Sequence, residues 1–361
     1  MRTLLGWKTL EYRGFSALAE GINVARFSAS GAINYIDTPA YTGSPAYGAY
    51  GGLSTGYYPL LEDPDITSFN RLYLDYVGLP HTLLRVGRQL LALDNQRFIG
   101  DYAFGQLPQS FIGALLENTS LPKSRLTLGY FSRVRNAFAV QTDTQTSVLN
   151  ARYEPWPVLK LAGYGYLQNQ PSTGSVTGLA DNSNQIVGGR AWGAWKVGEA
   201  LELVYSAELA EQRSYAGGSA LIDAPYRRLG VGAALGRAAL RVDWELLGSN
   251  RGLYGFQTPL GSTALFTGRV NMFATTPTYG LVDLRAHAVV EHWHGKLRVE
   301  YHNFRSDYAD WDLGSEWDAG LEWSFTSRLS ARLDYGDYRA GDPRAGLPDT
   351  RKLWMTLDFR Y

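Results

Sequence analysis

The chain of 361 residues contains no cysteine, and its 34 basic and 34 acidic residues give it a formal net charge of zero. Without cysteine it has neither a disulfide framework nor a thiolate metal site. The balanced charge creates no overall field that would favour nucleic acid as a partner. No apolar run approaches the roughly 18 residues that a membrane helix requires, and residues 1–15 contain no apolar stretch of signal-peptide length. These absences on their own indicate a soluble protein.

A two-residue hydrophobic period runs through the chain from end to end. Segment 239–247 alternates leucine, valine and tryptophan with arginine, aspartate and glutamate, and segments 200–210, 296–304, 316–325 and 329–338 repeat the scheme. Each segment is about ten residues long, as a tilted membrane-spanning strand is, whereas soluble strands usually have about five or six residues. In a membrane barrel the apolar face meets lipid and the charged face lines a watery lumen. The pattern therefore predicts membrane-spanning strands.

Short connectors alternate with long ones along the chain. Residues 294–296 are an example of the short type, and residues 27–67, 91–110 and 249–278 form long loops. Short periplasmic turns at one rim and long extracellular loops at the other are typical of outer-membrane barrels. A β-propeller has a similar period, but no blade signature recurs in this sequence. We therefore predict one all-β domain over residues 1–361, an antiparallel transmembrane β-barrel integral to the bacterial outer membrane.

The number of strands bears on how the two ends of the barrel meet. About 17 strands are visible, and because bacterial single-chain barrels have an even number, we expect about 18 in the intact protein. A signal peptide and the first strand are thus expected to be absent from this chain. The last segment, residues 352–361, alternates strictly up to Tyr361. We expect it to close the barrel, either facing a gap or pairing with residues 2–12, and its terminal aromatic residue resembles the signal that the outer-membrane assembly machinery reads.

The charged face of each predicted strand supplies candidate pore-lining residues. Arginine suits carboxylate solutes because its planar guanidinium binds them through two parallel hydrogen bonds. The alternative is that these charges pair across neighbouring strands and only fill a wet lumen. Inward charges up to residue 160 are mostly basic and later ones are mixed, which predicts one basic wall and one ion-paired wall. The candidates are Arg71, Tyr73, Asp75, Arg85, Arg97, Arg133, Arg135, Arg152, Arg241, Asp243, Arg285, Arg298, Glu300, Arg332 and Asp334.

Some residues need a separate interpretation. Arg97 lies in the long loop 91–110, which either folds into the pore as a constriction or packs at the surface. Arg88 has the lipid-facing parity, so a bulge must re-aim it or it must lie at the rim. Tyr73 and Tyr164 have the lumen-facing parity and are candidates for stacking against a sugar ring.

Motifs for catalysis, cofactors and metals are weak. His292 and His294 are two apart near a turn, where a position at the rim is favoured over metal ligation. A lipid hydrolase needs serine, histidine and an acid grouped together, and the 5 histidines have no evident serine partner. We therefore expect no enzyme, no catalytic residue, no metal and no cofactor. The alternatives to a channel are a plugged structural or adhesin barrel and an outer-membrane lipid hydrolase.

The apolar parity bears on the partners of the barrel. No group of neighbouring strands has an outward face that is poor in apolar residues, so we expect a monomer surrounded by outer-membrane lipid and lipopolysaccharide.

Residues 74–133 carry the motifs "LRVGRQ", "LDNQRFIG" and "LENTSLPKSRLTLGY". This stretch resembles the alginate-export family of bacterial outer-membrane barrels, and residues 2–24 look like the second and third strands of that family. The segment 101–110, "DYAFGQLPQS", is less polar than the corresponding stretch of family members. The resemblance implies a barrel of about 18 strands that passes polysaccharide or another small anionic solute.

Overall fold

The structure is a computed structural model in which residues 1–25, 64–102, 105–170, 179 and 181–360 are described. These residues form seventeen antiparallel strands in a single sheet, and only short 3-10 turns occur in the connections. Within this part of the chain, no helix is both long and apolar enough to span a membrane. The predicted all-β, antiparallel architecture is confirmed.

The strands follow one another in a simple meander. Strands that are consecutive in the sequence are hydrogen-bonded to each other throughout the sheet. Their bounds are β1 Arg2–Lys8, β2 Phe15–Val24, β3 Ile66–Tyr76, β4 Thr82–Gln89, β5 Ser110–Asn118, β6 Ser124–Arg135, β7 Gln141–Trp156, β8 Leu159–Asn169, β9 Asn184–Val197, β10 Leu201–Ser214, β11 Asp223–Leu235, β12 Ala238–Leu247, β13 Leu281–His292, β14 Gly295–Arg305, β15 Asp312–Ser324, β16 Leu329–Arg339 and β17 Thr350–Phe359.

The two outermost strands of the meander are β1 and β17. Among the described residues, each has a ladder on one side only, β1 with β2 and β17 with β16. The alternative in which the closing segment pairs with residues 2–12 is therefore not observed. Tyr361 and most of the predicted loop 27–67, up to residue 63, lie outside the described residues.

The outer face of the sheet is apolar. Val231 and Leu240, on neighbouring strands, are 64% and 58% exposed, and Leu353, Met355 and Leu357 on β17 are exposed as well. Because exposing apolar surface to water costs about 25 cal/mol per Å², a band of this kind requires lipid around it. The strands therefore direct their apolar side chains outward, as the alternation in the sequence predicts.

Exposed aromatic residues cluster at the rim that carries the short turns. Trp156, Trp195 and Trp293 lie at or beside strand ends there, and their side chains are largely exposed. Indole rings at both membrane–water interfaces form the aromatic girdles of outer-membrane barrels. The three tryptophans therefore lie where such a girdle would lie at the short-turn rim.

Two long loops fold back against the inner face of the sheet. The first inner loop comprises residues 90–109, of which 103–104 are not described, and the second comprises residues 248–280. Phe98 of the first packs against Phe256 of the second, with ring centroids 5.7 Å apart, and against Tyr226 of β11 at 4.9 Å. The apolar core of the protein therefore lies inside the curved sheet, in the half nearer the long loops.

The two inner loops are also joined by hydrogen bonds. The backbone N–H of Gly100 donates to Leu260 O at 2.8 Å, and that of Ser262 donates to Gln96 O at 2.9 Å. These bonds satisfy backbone groups that would otherwise be buried without partners. The loops thus form one unit inside the sheet, and side chains of the inner face nearer the short turns, such as Glu202, are partly exposed among the described residues.

Candidate functional site

The inner wall from β10 to β16 carries half of the charged residues that the sequence placed in the lumen. The antiparallel register sets Asp243 opposite Arg285, and Arg285 opposite His302, on three successive strands. One step nearer the short turns, Arg241 lies opposite His287, which lies opposite Glu300. The two-residue period directs all these side chains to the same face, so that rows of charge cross the wall.

Asp243 is the centre of the first charged group on this wall. Its carboxylate contacts Arg241 at 2.9 Å, Arg228 at 3.0 Å and Arg285 at 3.2 Å. Three guanidinium groups thus share one buried carboxylate, although Arg228 and Arg285 also lie near other acids. Of the three, Arg241 is the one whose side chain reaches the open lumen.

Asp334 is the centre of a second group, nearer the short turns. It receives a hydrogen bond from Nη2 of Arg298 at 2.9 Å and contacts Nε of Arg332 at 2.8 Å. Arg298 also lies 2.7 Å from Glu300. This carboxylate therefore bridges two guanidinium groups on neighbouring parts of the wall.

The two groups share one electrostatic feature. The side chains of Arg241, Arg298 and Arg332 are 23%, 23% and 33% exposed, whereas those of Asp243 and Asp334 are 3% and 0% exposed. The carboxylates lie beneath and the guanidinium groups lie above them, toward the lumen. A solute in the lumen therefore meets positive charge, even though the chain as a whole is neutral.

The opposite wall differs from the sequence-based expectation. Arg71 forms two hydrogen bonds with Glu20, at 3.0 and 2.5 Å, and Arg85 forms two with Asp75, at 2.7 and 2.9 Å. The guanidinium of Arg85 also stacks over Tyr73, 3.9 Å from the ring centroid.

Arg152, on the same side, contacts Glu154 at 3.1 Å. Of the two interpretations of the mainly basic wall up to residue 160, the structure has the paired one, because Arg71, Arg85 and Arg152 each lie against a carboxylate, supplied in the case of Arg71 by Glu20 on the neighbouring strand.

Arg133 also differs from its predicted position. A bulge in β6 between Phe131 and Arg133 shifts the register, so Arg133 pairs with the exposed Asp143 at 2.6 Å and is itself 51% exposed. The prediction that it faces the lumen is wrong because one extra residue exchanges the two faces of a strand. Arg135 is buried instead, and its Nη1 donates to Phe69 O at 3.0 Å.

Arg97 anchors the first inner loop. Its Nε and Nη2 each donate to a different oxygen of Glu245 on β12, both at 2.9 Å, and the side chain is 1% exposed. Its guanidinium lies 4.7 Å from the ring centroid of Phe266 in the second inner loop. Of the two predicted arrangements of the loop, the structure has the inward-folded one.

The second inner loop has an anchor of its own at Gln212 on β10. Its Oε1 accepts hydrogen bonds from the Tyr254 hydroxyl at 2.9 Å and from the Gln257 backbone N–H at 2.8 Å, and its Nε2 donates to Gln257 O at 3.0 Å. Burial raises the pKa of the Tyr254 hydroxyl, so this group stays a neutral donor.

Sequence reasoning missed several residues of this arrangement. Glu20, Arg190 and Arg269 belong to the charged network, with Arg190 3.9 Å from Glu208 and Arg269 3.7 Å from Glu300. Glu20 and Arg190 lie on strands whose sequence is dominated by small residues, and Arg269 lies in a loop. No alternation of charge marked these positions.

The fold is similar to that of solved outer-membrane porins. OpdK from Pseudomonas aeruginosa is 15% identical, with a TM-score of 0.68 over 99% of this chain and 92% of that one. OccD3 from the same organism is 11% identical, with a TM-score of 0.67 over 99% and 86%. OccAB4 from Acinetobacter baumannii is 14% identical, with a TM-score of 0.68 over 96% and 83%. No family model and no curated protein matches the chain.

At identities this low, the structural similarity establishes the fold alone. None of the comparisons supports the alginate-export family. The chain has the fold of these outer-membrane β-barrel proteins, and its outer face is apolar, as a lipid-facing surface is.

Proposed function

We propose that the protein is an outer-membrane channel for small solutes that carry a carboxylate. The observation that carries this proposal is the arrangement of charge on the β10–β16 wall, where Arg241, Arg298 and Arg332 cover the buried carboxylates Asp243 and Asp334. Anionic solutes would move along these guanidinium groups, and cations would be repelled by them.

The arginines retain donors for a solute. Within the described part of the chain, Nη1 of Arg241 and Nη1 of Arg298 make no hydrogen bond, while their other nitrogens hold the wall together. A channel needs sites that attract a solute and still release it. Partly exposed ion pairs supply only about 0.2–1 kcal/mol each, which suits a series of weak, successive contacts.

The inner loops favour a small solute over a polymer. Both loops occupy the half of the lumen nearer the long-loop rim, and Arg97 and Gln212 hold them there. OpdK has been solved with vanillate, a small aromatic carboxylate. Export of an anionic polysaccharide such as alginate, which the sequence resemblance implies, would require these loops to move.

The proposal is tested by recording from purified protein in planar lipid bilayers. The reversal potential in a salt gradient should show anion preference, and the triple variant Arg241→Gln, Arg298→Gln, Arg332→Gln should lose most of it. The matched control replaces the exposed Arg305, Arg344 and Arg351 by glutamine. Their charges lie outside the wall and are screened by salt. Equal ion selectivity in the wild type and the wall variant would refute the proposal.

The solute class is tested in the same recordings. Vanillate should reduce the single-channel current, whereas vanillyl alcohol, which has the same ring without the carboxylate, should not. Block by alginate oligomers at lower concentration than vanillate would instead favour the polysaccharide alternative. A barrel without conductance would favour the plugged structural or adhesin alternative.

The partners of the outer face are part of this proposal. We expect lipid and lipopolysaccharide to cover the apolar band, and the barrel to work as a monomer. The assembly machinery would bind β17, whose outward side chains include the exposed Leu353, Met355, Leu357 and Phe359. Crosslinking in native membranes, which should yield no homodimer, tests the monomer.

A further inference from the structure

A compact group of potential metal ligands lies in the inner wall beneath the second inner loop. Glu300 and His302 of β14 and Asp318 of β15 each present one ligand atom, and these three atoms all lie within 4.8 Å of one another. All three residues are buried. The ladder explains the grouping, because Glu300 and Asp318 are directly opposite and His302 is two residues from Glu300 on the same face.

The imidazole of His302 is oriented as a metal ligand would be. Its Nδ1 lies 2.8 Å from Asp283 Oδ2, which fixes the ring, and its Nε2 points into the group. The Nε2 atom lies 3.8 Å from Glu300 Oε2 and 3.9 Å from Asp318 Oδ2, too far for a hydrogen bond. In the part of the chain that the structure describes, this fully buried nitrogen has no hydrogen-bond partner. A carboxylate behind a ligating histidine is the common outer-sphere arrangement of metal sites.

Two of the carboxylates around His302 have no arginine or lysine partner among the described residues. Within the described residues, neither Asp318 nor Glu316 forms an ion pair with arginine or lysine, although the two carboxyl groups are in contact with each other. Asp318 Oδ1 and Glu316 Oε2 are buried and have no hydrogen-bond partner there. Burying a carboxylate without compensation is costly. A cation between these groups would remove that cost.

The basic groups that face the site are concentrated on Glu300. Arg298 lies 2.7 Å from Glu300 Oε1, Arg269 lies 3.7 Å from the same oxygen, and Arg285 lies 3.7 Å from Oε2. They offset the charge of Glu300, whereas Asp318 lies 3.9 Å from His302 and accepts the backbone N–H of Arg269. The side of the group formed by His302, Asp318 and Glu316 is therefore the side on which a bound cation would add most compensation.

We propose that His302 Nε2, Asp318 and Glu300 bind one divalent transition-metal ion of the zinc type. Atoms at the observed separations leave a point no more than about 2.5 Å from each of them, and a contraction of a few tenths of an ångström would reach the ~2.0–2.2 Å of zinc bonds to nitrogen and carboxylate oxygen. A mixed imidazole and carboxylate set suits zinc, whereas sites made only of oxygen suit magnesium and calcium.

The ion would stabilise the second inner loop. The backbone N–H of Arg269 donates to Asp318 Oδ2 at 3.0 Å, and that of Val270 donates to Glu316 Oε1 at 2.7 Å. A metal bound to Asp318 would fix the carboxylate that accepts the backbone N–H of Arg269. The site thus links occupancy by a metal to the position of the loop inside the lumen.

The test uses the folded full-length protein in detergent, freed of metal with EDTA. Zinc titrated by calorimetry should bind at one equivalent, and cobalt should produce the visible absorption bands of a coordinated ion. His302→Ala and the isosteric Asp318→Asn should each weaken zinc binding at least tenfold. His294→Ala is the matched control, because this exposed histidine lies at the β13–β14 turn and outside the group.

Each outcome decides the proposal. Zinc binding that persists in His294→Ala and weakens in Asp318→Asn supports the site, even if His302→Ala does not fold. Absence of saturable binding by the wild type overturns it. Equal binding by the wild type and Asp318→Asn overturns it as well, because the zinc is then held by other histidines.

Discussion

Replacing Arg97 by alanine should release the first inner loop from the barrel wall. The two hydrogen bonds from Arg97 to Glu245 span 148 residues of sequence and are the charged link between this loop and β12. Alanine removes both, while Glu245 stays buried and keeps one donor, the hydroxyl of Tyr226 at 2.7 Å.

The free-energy cost of this substitution depends on how deeply the Arg97–Glu245 pair is buried. Breaking a buried ion pair by removing one partner costs about 3–5 kcal/mol, because the other charge stays buried without compensation. Tyr226 and the nearby Arg228 still stabilise Glu245, so we expect a value near the lower end, about 3 kcal/mol. If the loss is confined to docking of the loop, it shifts the docking equilibrium by about two orders of magnitude.

Two measurements detect this loss. Single-channel recording should show transitions to a higher conductance level in Arg97→Ala, since the undocked loop no longer narrows the lumen. Thermal unfolding should occur at a lower temperature. The control is Arg213→Ala, which removes an exposed pair with Asp223 at 4.0 Å. Such pairs contribute only about 0–1 kcal/mol.

A double-mutant cycle separates the pair from its surroundings. Glu245→Gln alone and together with Arg97→Ala should show an interaction energy of about 1–3 kcal/mol. Additive effects, together with wild-type conductance in Arg97→Ala, would refute the reasoning that this pair holds the loop inside the lumen.

Three other substitutions test the loop anchor, the sheet and the outer face. Gln212→Ala leaves the Tyr254 hydroxyl without its acceptor and should cost about 1–3 kcal/mol, measured as faster proteolysis of the second inner loop. Gly87→Ala should lower the folded fraction seen as heat-modifiable migration on gels, because φ is 133° and the new Cβ would lie 2.2 Å from Leu72 O. Val231→Arg places a charge on the lipid-facing surface and should lower the free energy of unfolding by up to about 2–4 kcal/mol in vesicles; an unchanged value would show that this position does not contact lipid.

Regular alternation made much of the fold predictable. The segments 200–210, 296–304 and 329–338 coincide with β10, β14 and β16 to within a few residues, and the apolar parity of each is the exposed outer face. A strand carries its orientation in its own sequence, since neighbouring side chains point to opposite faces. The order of the strands followed too, because short turns allow only antiparallel neighbours.

The orientation and pairing of residues at irregular positions could not be predicted from alternation. Arg133 has the parity of a lumen residue, but the bulge beside Phe131 turns it outward, and a bulge leaves no reliable mark in a single sequence. Arg71 was a candidate for binding an anionic solute, and Glu20 on the adjacent strand pairs with it across 51 residues. Register across strands decides which charges are neutralised.

The sequence by itself determined the strand length, the two faces of each strand and the sorting of apolar side chains toward lipid. These properties are local, since they depend on residues one or two positions apart. Only the tertiary structure decided that the loops carrying Arg97 and Tyr254 lie inside the barrel, and that carboxylates such as Asp334 lie beneath arginines on the wall. The physical reason is that burial and charge compensation depend on contacts between residues far apart in the chain, which alternation along one strand does not encode.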